Sequence, residues 1–261
     1  MKPVLHYPGS KWRIADWIIS HMPPHVHYLE PYFGSGAVLF RKPRSKIETV
    51  NDTNGDVVNL FRVLREHPHE LADAVHMTPW SREEYRASYE LTGDALEDAR
   101  RFLVRCWQAY GTRLYTSTGW KNEIRSATGK PVTRTWRDLP SRIITAAERL
   151  RGVQIDCAPA IEVIKRLAGS HVLIYADPPY LGVPPLYSQR TSEQEHRELI
   201  ATLREIPGTV LLSGYASELY AAELDDWSTV RTRGMADAGR EREEILWLNP
   251  VAAKMQEGML F

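Results

Sequence analysis

The stretch "VLIYADPPYLG", residues 172–182, is an apolar run that ends in a carboxylate, two prolines and an aromatic ring. A carboxylate at the end of a buried strand, here Asp177, stands where open α/β sheets bind their ligands. Pro178 and Pro179 have no amide N–H and a fixed φ, so the carbonyls around them remain oriented acceptors. Tyr180 adds a π-face. An exocyclic amino group on a planar ring carries two N–H donors, which the Asp177 carboxylate and the Pro178 carbonyl would accept. Holding both protons would draw the nitrogen lone pair out of conjugation and aim it at an electrophile. Read alone, the tetrapeptide is more simply a Pro-Pro turn with a solvated Asp and a packing Tyr. Its place after a buried strand and downstream of the next motif favours chemistry.

That motif is "LEPYFGSGAVLF", residues 29–40. Glycines at 34 and 36 let the backbone turn tightly and approach a ligand, and the helix that follows favours an anionic group at its start. Glu30, at the preceding strand end, could bind a ribose hydroxyl or a ligand ammonium. A G-x-G by itself is weak evidence. The spacing to Asp52, some 20 residues on and at the next strand's end, is that of a ribose-binding acid in an α/β nucleotide site.

The elements that would position these residues alternate in the manner of a doubly wound sheet. Strands are predicted at 26–30 and in "IETVNDTN", with an amphipathic helix in "GDVVNLFRVLREH". The alternation stops near residue 66. From 67 to 150 the chain reads as mostly helical and rich in Arg, Trp and Tyr. It includes a capping box from Ser81 and Glu84 and a long helix over "DALEDARRFLVRCWQAYG". Strands return in "GVQID", "HVLIYA", "GTVLLSGY" and "REEILWLN". A second capping box, Ser192 with Glu195, opens the helix "SEQEHRELIATLREI". The expected architecture is one α/β domain, 1–66 with 151–261, interrupted by a basic helical insertion.

The 261 residues carry no net charge, yet residues 1–46 hold seven Lys/Arg against two acids and residues 100–151 twelve against three. Such segments could form a polyanion-binding face, although ordinary solvated helix faces account for charge alone. The N-terminus lacks the apolar run of a signal peptide, and no run of about 18 apolar residues exists, so an intracellular protein is expected. Cys106 and Cys157 form no disulfide framework and read as small buried hydrophobes. His21, His25 and His27 lack the spacing of a zinc site and read as surface histidines, and no metal is expected.

In order, "HYPGSK", "EPYFGSG", "NDTN" and "DPPY" resemble the Dam-like DNA adenine-N6 methyltransferases. The resemblance covers nearly the whole chain and is weakest from 67 to 150, the family's variable target-recognition region. It implies a Rossmann-like methyltransferase sheet, S-adenosylmethionine as methyl donor, and duplex DNA whose target adenine is flipped out of the helix. By motif, Tyr7 and Lys11 would flank the cofactor. Glu30, Phe33, Gly34 and Gly36 would form its loop, Asp52 would hold the ribose, and Asp177 would border the same site. Asp177, Pro178 and Tyr180 would bind the adenine, with Tyr187 helping to hold it. In the insertion, Arg100, Arg101, Arg105, Arg113, Lys121, Arg125, Lys130 and Arg134 would meet phosphates or guanine edges, while Trp120 and Trp136 read first as packing residues. One departure stands out: the family's acid before the "DPPY" strand is replaced by Ala158 or Pro159, with Asp156 displaced. The resemblance suits a bacterial or phage-infected cytoplasm, with or without a partner restriction endonuclease. RNA or cytosine N4 as acceptor, and a non-catalytic DNA-binding module on the same fold, are the competing readings.

Overall fold

The computed structural model describes residues 1–111, 115–122, 132–181, 192–235 and 241–258. Contacts within the chain separate two units. One takes in Met1–Ser10 and Asn54–Arg151; the other takes in Lys11–Thr53 and most of the chain after Gly152.

The second unit is built on a seven-stranded sheet. Its strands are β1 (His27–Glu30), β2 (Ile47–Asn51), β3 (Gln154–Asp156), β4 (Val172–Ala176), β5 (Thr209–Gly214), β6 (Ser228–Met235) and β7 (Glu241–Leu248), in the spatial order β3-β2-β1-β4-β5-β7-β6. The first five run parallel, and β7 is antiparallel to both β5 and β6. Every residue of β1, β4 and β5 is buried. Strands covered on both faces need unbroken apolar runs, which is why "VLIYA" and "TVLLSG" were readable in sequence. One face packs Leu29, Ile174, Val210, Leu212 and Trp247 against Val163, Leu199 and Leu203 of the covering helices. The helix Glu193–Arg204 opens with the expected capping box: Ser192 Oγ accepts from the Glu195 N–H, and the Glu195 carboxylate accepts from the Ser192 N–H.

The edge strand β6 was not anticipated. "STVRTRGM" carries few apolar residues and exposes charge, as edge strands do. Arg231 pairs across it with Glu243 of β7 at 2.8 Å. His27 also departs from expectation: it is 6% exposed, and its Nε2 meets Thr49 Oγ1 of the neighbouring strand at 2.9 Å. A fully buried strand has no surface position to offer. Cys106 is buried as expected, whereas Cys157, just past β3, is exposed.

The chain changes direction across the sheet between β1 and β4. From β1 it steps outward to β2 and β3, and from β4 it steps the other way to β5. Such a reversal leaves a crevice at the carboxyl ends of the two central strands, where ligands of open α/β sheets bind.

The first unit is helical. Gly55–Glu66 belongs here because its buried face, Val57, Leu60, Phe61 and Leu64, packs on the helices Ala95–Gln108 and Leu139–Leu150. By its contacts this helix groups with the segment Asn54–Arg151. Ser81 caps the helix Arg82–Ala87 through the Glu83 N–H. The expected reciprocal bond from Glu84 is replaced by an ion pair of Glu84 with Arg100 at 2.7 Å. No described helix is long and apolar enough to cross a membrane.

Candidate active site

The glycine turn grows directly out of β1. After Glu30, the Phe33 N–H donates to the Asn51 carbonyl at 2.9 Å, and the Gly36 N–H closes the turn on the Phe33 carbonyl at 2.8 Å. Gly34 and Gly36 take φ of 48° and 67°, a region that favours glycine. The Gly34 N–H donates to Asp52 Oδ2 at 2.8 Å, so the turn and the acid after β2 hold one another. A Cβ on Gly36 would stand 2.6 Å from ring atoms of both Phe33 and Phe40, two buried rings with little room to move. Gly36→Ala should therefore destabilise the protein by about 2–4 kcal/mol, combining the left-handed backbone cost with overpacking. Urea unfolding would measure it, and a loss below about 0.5 kcal/mol would show that the turn relaxes freely.

Asn51 is a site residue that the sequence reading passed over. It is 1% exposed, and its amide donates to the Pro31 and Ala158 carbonyls at 3.0 Å each. Its Oδ1 accepts from the Ala158 N–H at 2.9 Å. One side chain thus ties together the chain after β1, the end of β2 and the chain after β3. Asp156, at the end of β3, is engaged by Arg166.

Glu30 lies fully within the sheet, 3% exposed, and accepts from the Tyr28 hydroxyl at 2.8 Å. Burial raises its carboxyl to about 8; the Tyr28 hydrogen bond opposes the rise and the nearby Asp177 charge adds to it. Glu30 is consequently protonated at neutral pH.

Across the strand-order reversal, β4 delivers Asp177. Its Oδ2 pairs with the Lys11 ammonium at 3.0 Å, and its Oδ1 accepts from the Tyr180 hydroxyl at 3.0 Å. Lys11 Nζ also stands 4.7 Å from the centroid of the Tyr180 ring. Burial works against the Lys11 charge, but Asp177 and Glu244 together outweigh it and hold the ammonium above its ordinary range. Tyr180 meets Tyr215 edge-on at 4.5 Å, and its hydroxyl lies 2.8 Å from Glu244 Oε2 on β7. Burial first, then the Asp177 and Glu244 charges, push its phenol well above the usual range.

The two prolines divide their roles. The Pro179 carbonyl accepts from His196 Nε2 at 3.0 Å, which makes His196 Nδ1 the acceptor of the Tyr220 hydroxyl at 2.8 Å. This buried, neutral imidazole fixes the turn from beneath. Among the described residues no hydrogen bond reaches the Pro178 carbonyl. His196 sits at an apolar position of its helix pattern, a faint signal that could have marked it.

Tyr7 belongs to the helical unit, where it is buried and its hydroxyl accepts from Asn54 Nδ2 at 3.4 Å. The basic residues of that unit are unequal. Arg105 is 6% exposed and paired with Asp56 at 3.0 Å, and so is a poor phosphate ligand. Arg100 is tied to Glu97 and Glu84, and Arg101 to Glu97. Arg134 is exposed and Lys121 half-buried. Trp136 is packed in the core, with its Nε1–H on the Thr78 carbonyl, and Trp120 lies under Arg82. Arg113, Arg125, Lys130 and Tyr187 lie outside the described residues. Among the described residues no three metal-ligating side chains cluster.

The doubly wound sheet thus carries the glycine turn, the strand-end acids and the Asp-Pro-Pro-Tyr turn at the ends of its parallel strands. Residues 7–230 match the D12 class N6 adenine-specific DNA methyltransferases, and the chain belongs to that family. Among curated relatives, it is 26% identical over 194 residues to a DNA N-6-adenine-methyltransferase of Escherichia phage P1, covering 70% of this chain and 24% of that protein. It is 28% identical over 88 residues to the Type II methyltransferase M1.LlaDCHI of Lactococcus lactis subsp. cremoris, covering 33% of this chain and 31% of that one. The match thus spans about a quarter to a third of these relatives' lengths. Solved structures with similarity include a conserved hypothetical protein of Streptococcus pyogenes (TM-score 0.39, 10% identity, 92% of this chain and 95% of that one). A SAM-dependent methyltransferase of Agrobacterium tumefaciens is also similar (TM-score 0.37, 10% identity, 91% and 59%).

Proposed function

We propose that this chain methylates the N6 amino group of adenine in duplex DNA, with S-adenosylmethionine as donor and the target base flipped out of the helix. The observation that carries the reading is the pairing of an Asp177–Tyr180 acceptor turn at the end of β4 with a glycine turn after β1, on the two sides of the strand-order reversal.

The residues of the turn fit such a donor. Strand-end acids, Glu30 and Asp52, flank it, which suits ribose hydroxyls and an ammonium better than a pyrophosphate. When bound, the donor supplies a methyl group made electrophilic by a sulfonium. Glu30 and Asp52 would hold polar groups of the donor, and Phe33 and the two glycines would shape the loop around it. Asp177 would accept from the target amino group and stabilise the positive charge that develops on its nitrogen. It would then take the proton that the methylated nitrogen sheds. The Pro178 carbonyl is suited to accept the second N–H, and the Tyr180 ring to stack on the base. Stacking offsets part of the few kcal/mol that unstacking the duplex costs. Of the cations singled out in sequence, Arg134 is exposed and Lys121 half-exposed, and these would neutralise phosphates, with Arg113, Arg125 and Lys130 proposed on sequence alone. Likeness to a Type II methyltransferase supports a restriction endonuclease as a partner in the cell.

The reading predicts N6-methyladenine when unmethylated duplex DNA is incubated with the protein and S-adenosylmethionine and then analysed by nucleoside mass spectrometry. N4-methylcytosine would move the acceptor to cytosine. Absence of any modified DNA base would refute the assignment and favour an RNA acceptor or a binding module.

A further inference from the structure

Glu244 projects from β7 into the acceptor turn, and no motif pointed to it. Its Oε2 is 2.8 Å from the Tyr180 hydroxyl, whose oxygen is also 3.0 Å from Asp177 Oδ1. A phenol has one proton, so it cannot donate to two carboxylates at once. Both short contacts are satisfied when one of the two acids carries a proton and donates it to the Tyr180 oxygen. Asp177 already pairs through its other oxygen with the Lys11 ammonium at 3.0 Å. The proton therefore falls to Glu244, and the row reads Glu244 O–H to Tyr180 O–H to Asp177 carboxylate to Lys11 ammonium.

Resting on the methyltransferase reading, we infer that Glu244 is a positioning residue: as a neutral acid it holds the Tyr180 hydroxyl turned toward Asp177, which fixes the ring and the acceptor carboxylate together. Among the described residues the groups facing it are few. Lys11 precedes the first helix of the sheet unit, Asp177 and Tyr180 follow β4, Tyr175 lies on β4, and Tyr215, beside Tyr180, follows β5. On β6 the residue in register is Thr232, which does not titrate, and the adjacent Glu243 is paired with Arg231. Burial, more than the Asp177 charge, raises the Glu244 carboxyl, while the Lys11 charge opposes the rise. As pH climbs through that raised value Glu244 ionises, Tyr180 loses a donor, and its own proton is drawn between two anions.

The test is the pH dependence of kcat for wild type, Glu244→Gln and Glu244→Ala. Wild type should decline on the alkaline side as Glu244 loses its proton. The glutamine amide donates at every pH, so Glu244→Gln should lack that decline and recover most of the rate that Glu244→Ala loses. Glu244→Ala should fall roughly tenfold or more in kcat, the scale of a misplaced catalytic group, with the donor KM little changed. An alanine variant as active as wild type, or a glutamine variant with the wild-type alkaline limb, overturns the inference. If wild type methylates nothing, the activity reading fails separately. Glu244 is then judged by its side-chain carboxyl 13C titration in the unliganded protein, assigned with Glu244→Gln. A midpoint above the ordinary glutamate value of about 4.3 supports it, and one at or below that value overturns it.

Discussion

Asp177→Asn is expected to lower the methylation rate by about 10³-fold or more, the scale lost with a catalytic base and its charge stabilisation. Donor affinity should stay within about threefold, since a group used only in the transition state leaves ground-state binding intact. The asparagine keeps the shape of the turn and still accepts from Tyr180. It offers neither a negative charge to the nitrogen nor a home for the proton. Asp177→Ala should lose as much rate and stability besides. Lys11 and Asp177 have side chains only 8% and 16% exposed, and removing one partner of a buried pair typically costs about 3–5 kcal/mol. With the Asp177 charge gone, Glu244 can ionise to face the stranded ammonium, so the cost should fall toward the low end of that range. Lys11→Met combined with Asp177→Ala should recover much of the lost stability and none of the activity. Single-turnover methylation and urea unfolding separate the two effects. Turnover of Asp177→Asn within tenfold of wild type would remove Asp177 from the chemistry.

What was legible in the sequence follows from what each feature depends on. The buried strands wrote themselves as apolar runs, and the glycine turn, Asp52 and the Asp-Pro-Pro-Tyr turn are local, each spelled by consecutive residues. The contacts that complete the site are not local. Glu244 meets Tyr180 only because β7 inserts antiparallel between β5 and β6, an arrangement that no short stretch encodes. Asn51 clamps three chain segments because β1, β2 and β3 are neighbours, and His196 reaches Pro179 from a helix that looks merely amphipathic. What becomes of a local excess of cations is non-local in the same way. The arginines at 100, 101 and 105 look like a basic stripe, yet the fold brings Glu84, Glu97 and Asp56 onto them. Counting cations along a helix says nothing of the acids that packing delivers.

Glu30→Gln should make the protein more stable above pH 8 and at the same time weaken its grip on the donor. The buried carboxyl is raised to about 8 from an ordinary value of 4.5, so the folded state holds a proton that the unfolded chain has released across that interval. The stability tied to that proton is fully present below the ordinary glutamate value and is lost as pH rises through about 8. Each pKa unit is worth about 1.4 kcal/mol, so the loss by pH 9 is on the order of 5 kcal/mol at most. A glutamine cannot ionise, and its amide oxygen can still accept from Tyr28. The variant and wild type should therefore differ little at pH 5 and diverge in the variant's favour at pH 9. If Glu30 meets a cationic group of the donor, as proposed, the same substitution removes a charge-assisted contact worth about 1.5–3 kcal/mol, or a loss of roughly ten- to a hundredfold in affinity. Urea unfolding at the two pH values, with calorimetric titration of the donor product S-adenosylhomocysteine, reads both halves. A glutamine variant less stable than wild type at pH 9 would mean that the Glu30 anion is satisfied within the sheet. Unchanged affinity would place the ammonium elsewhere. Gain of stability with loss of binding would identify Glu30 as a residue kept against the interest of the fold, as sites that bind charge inside a sheet require.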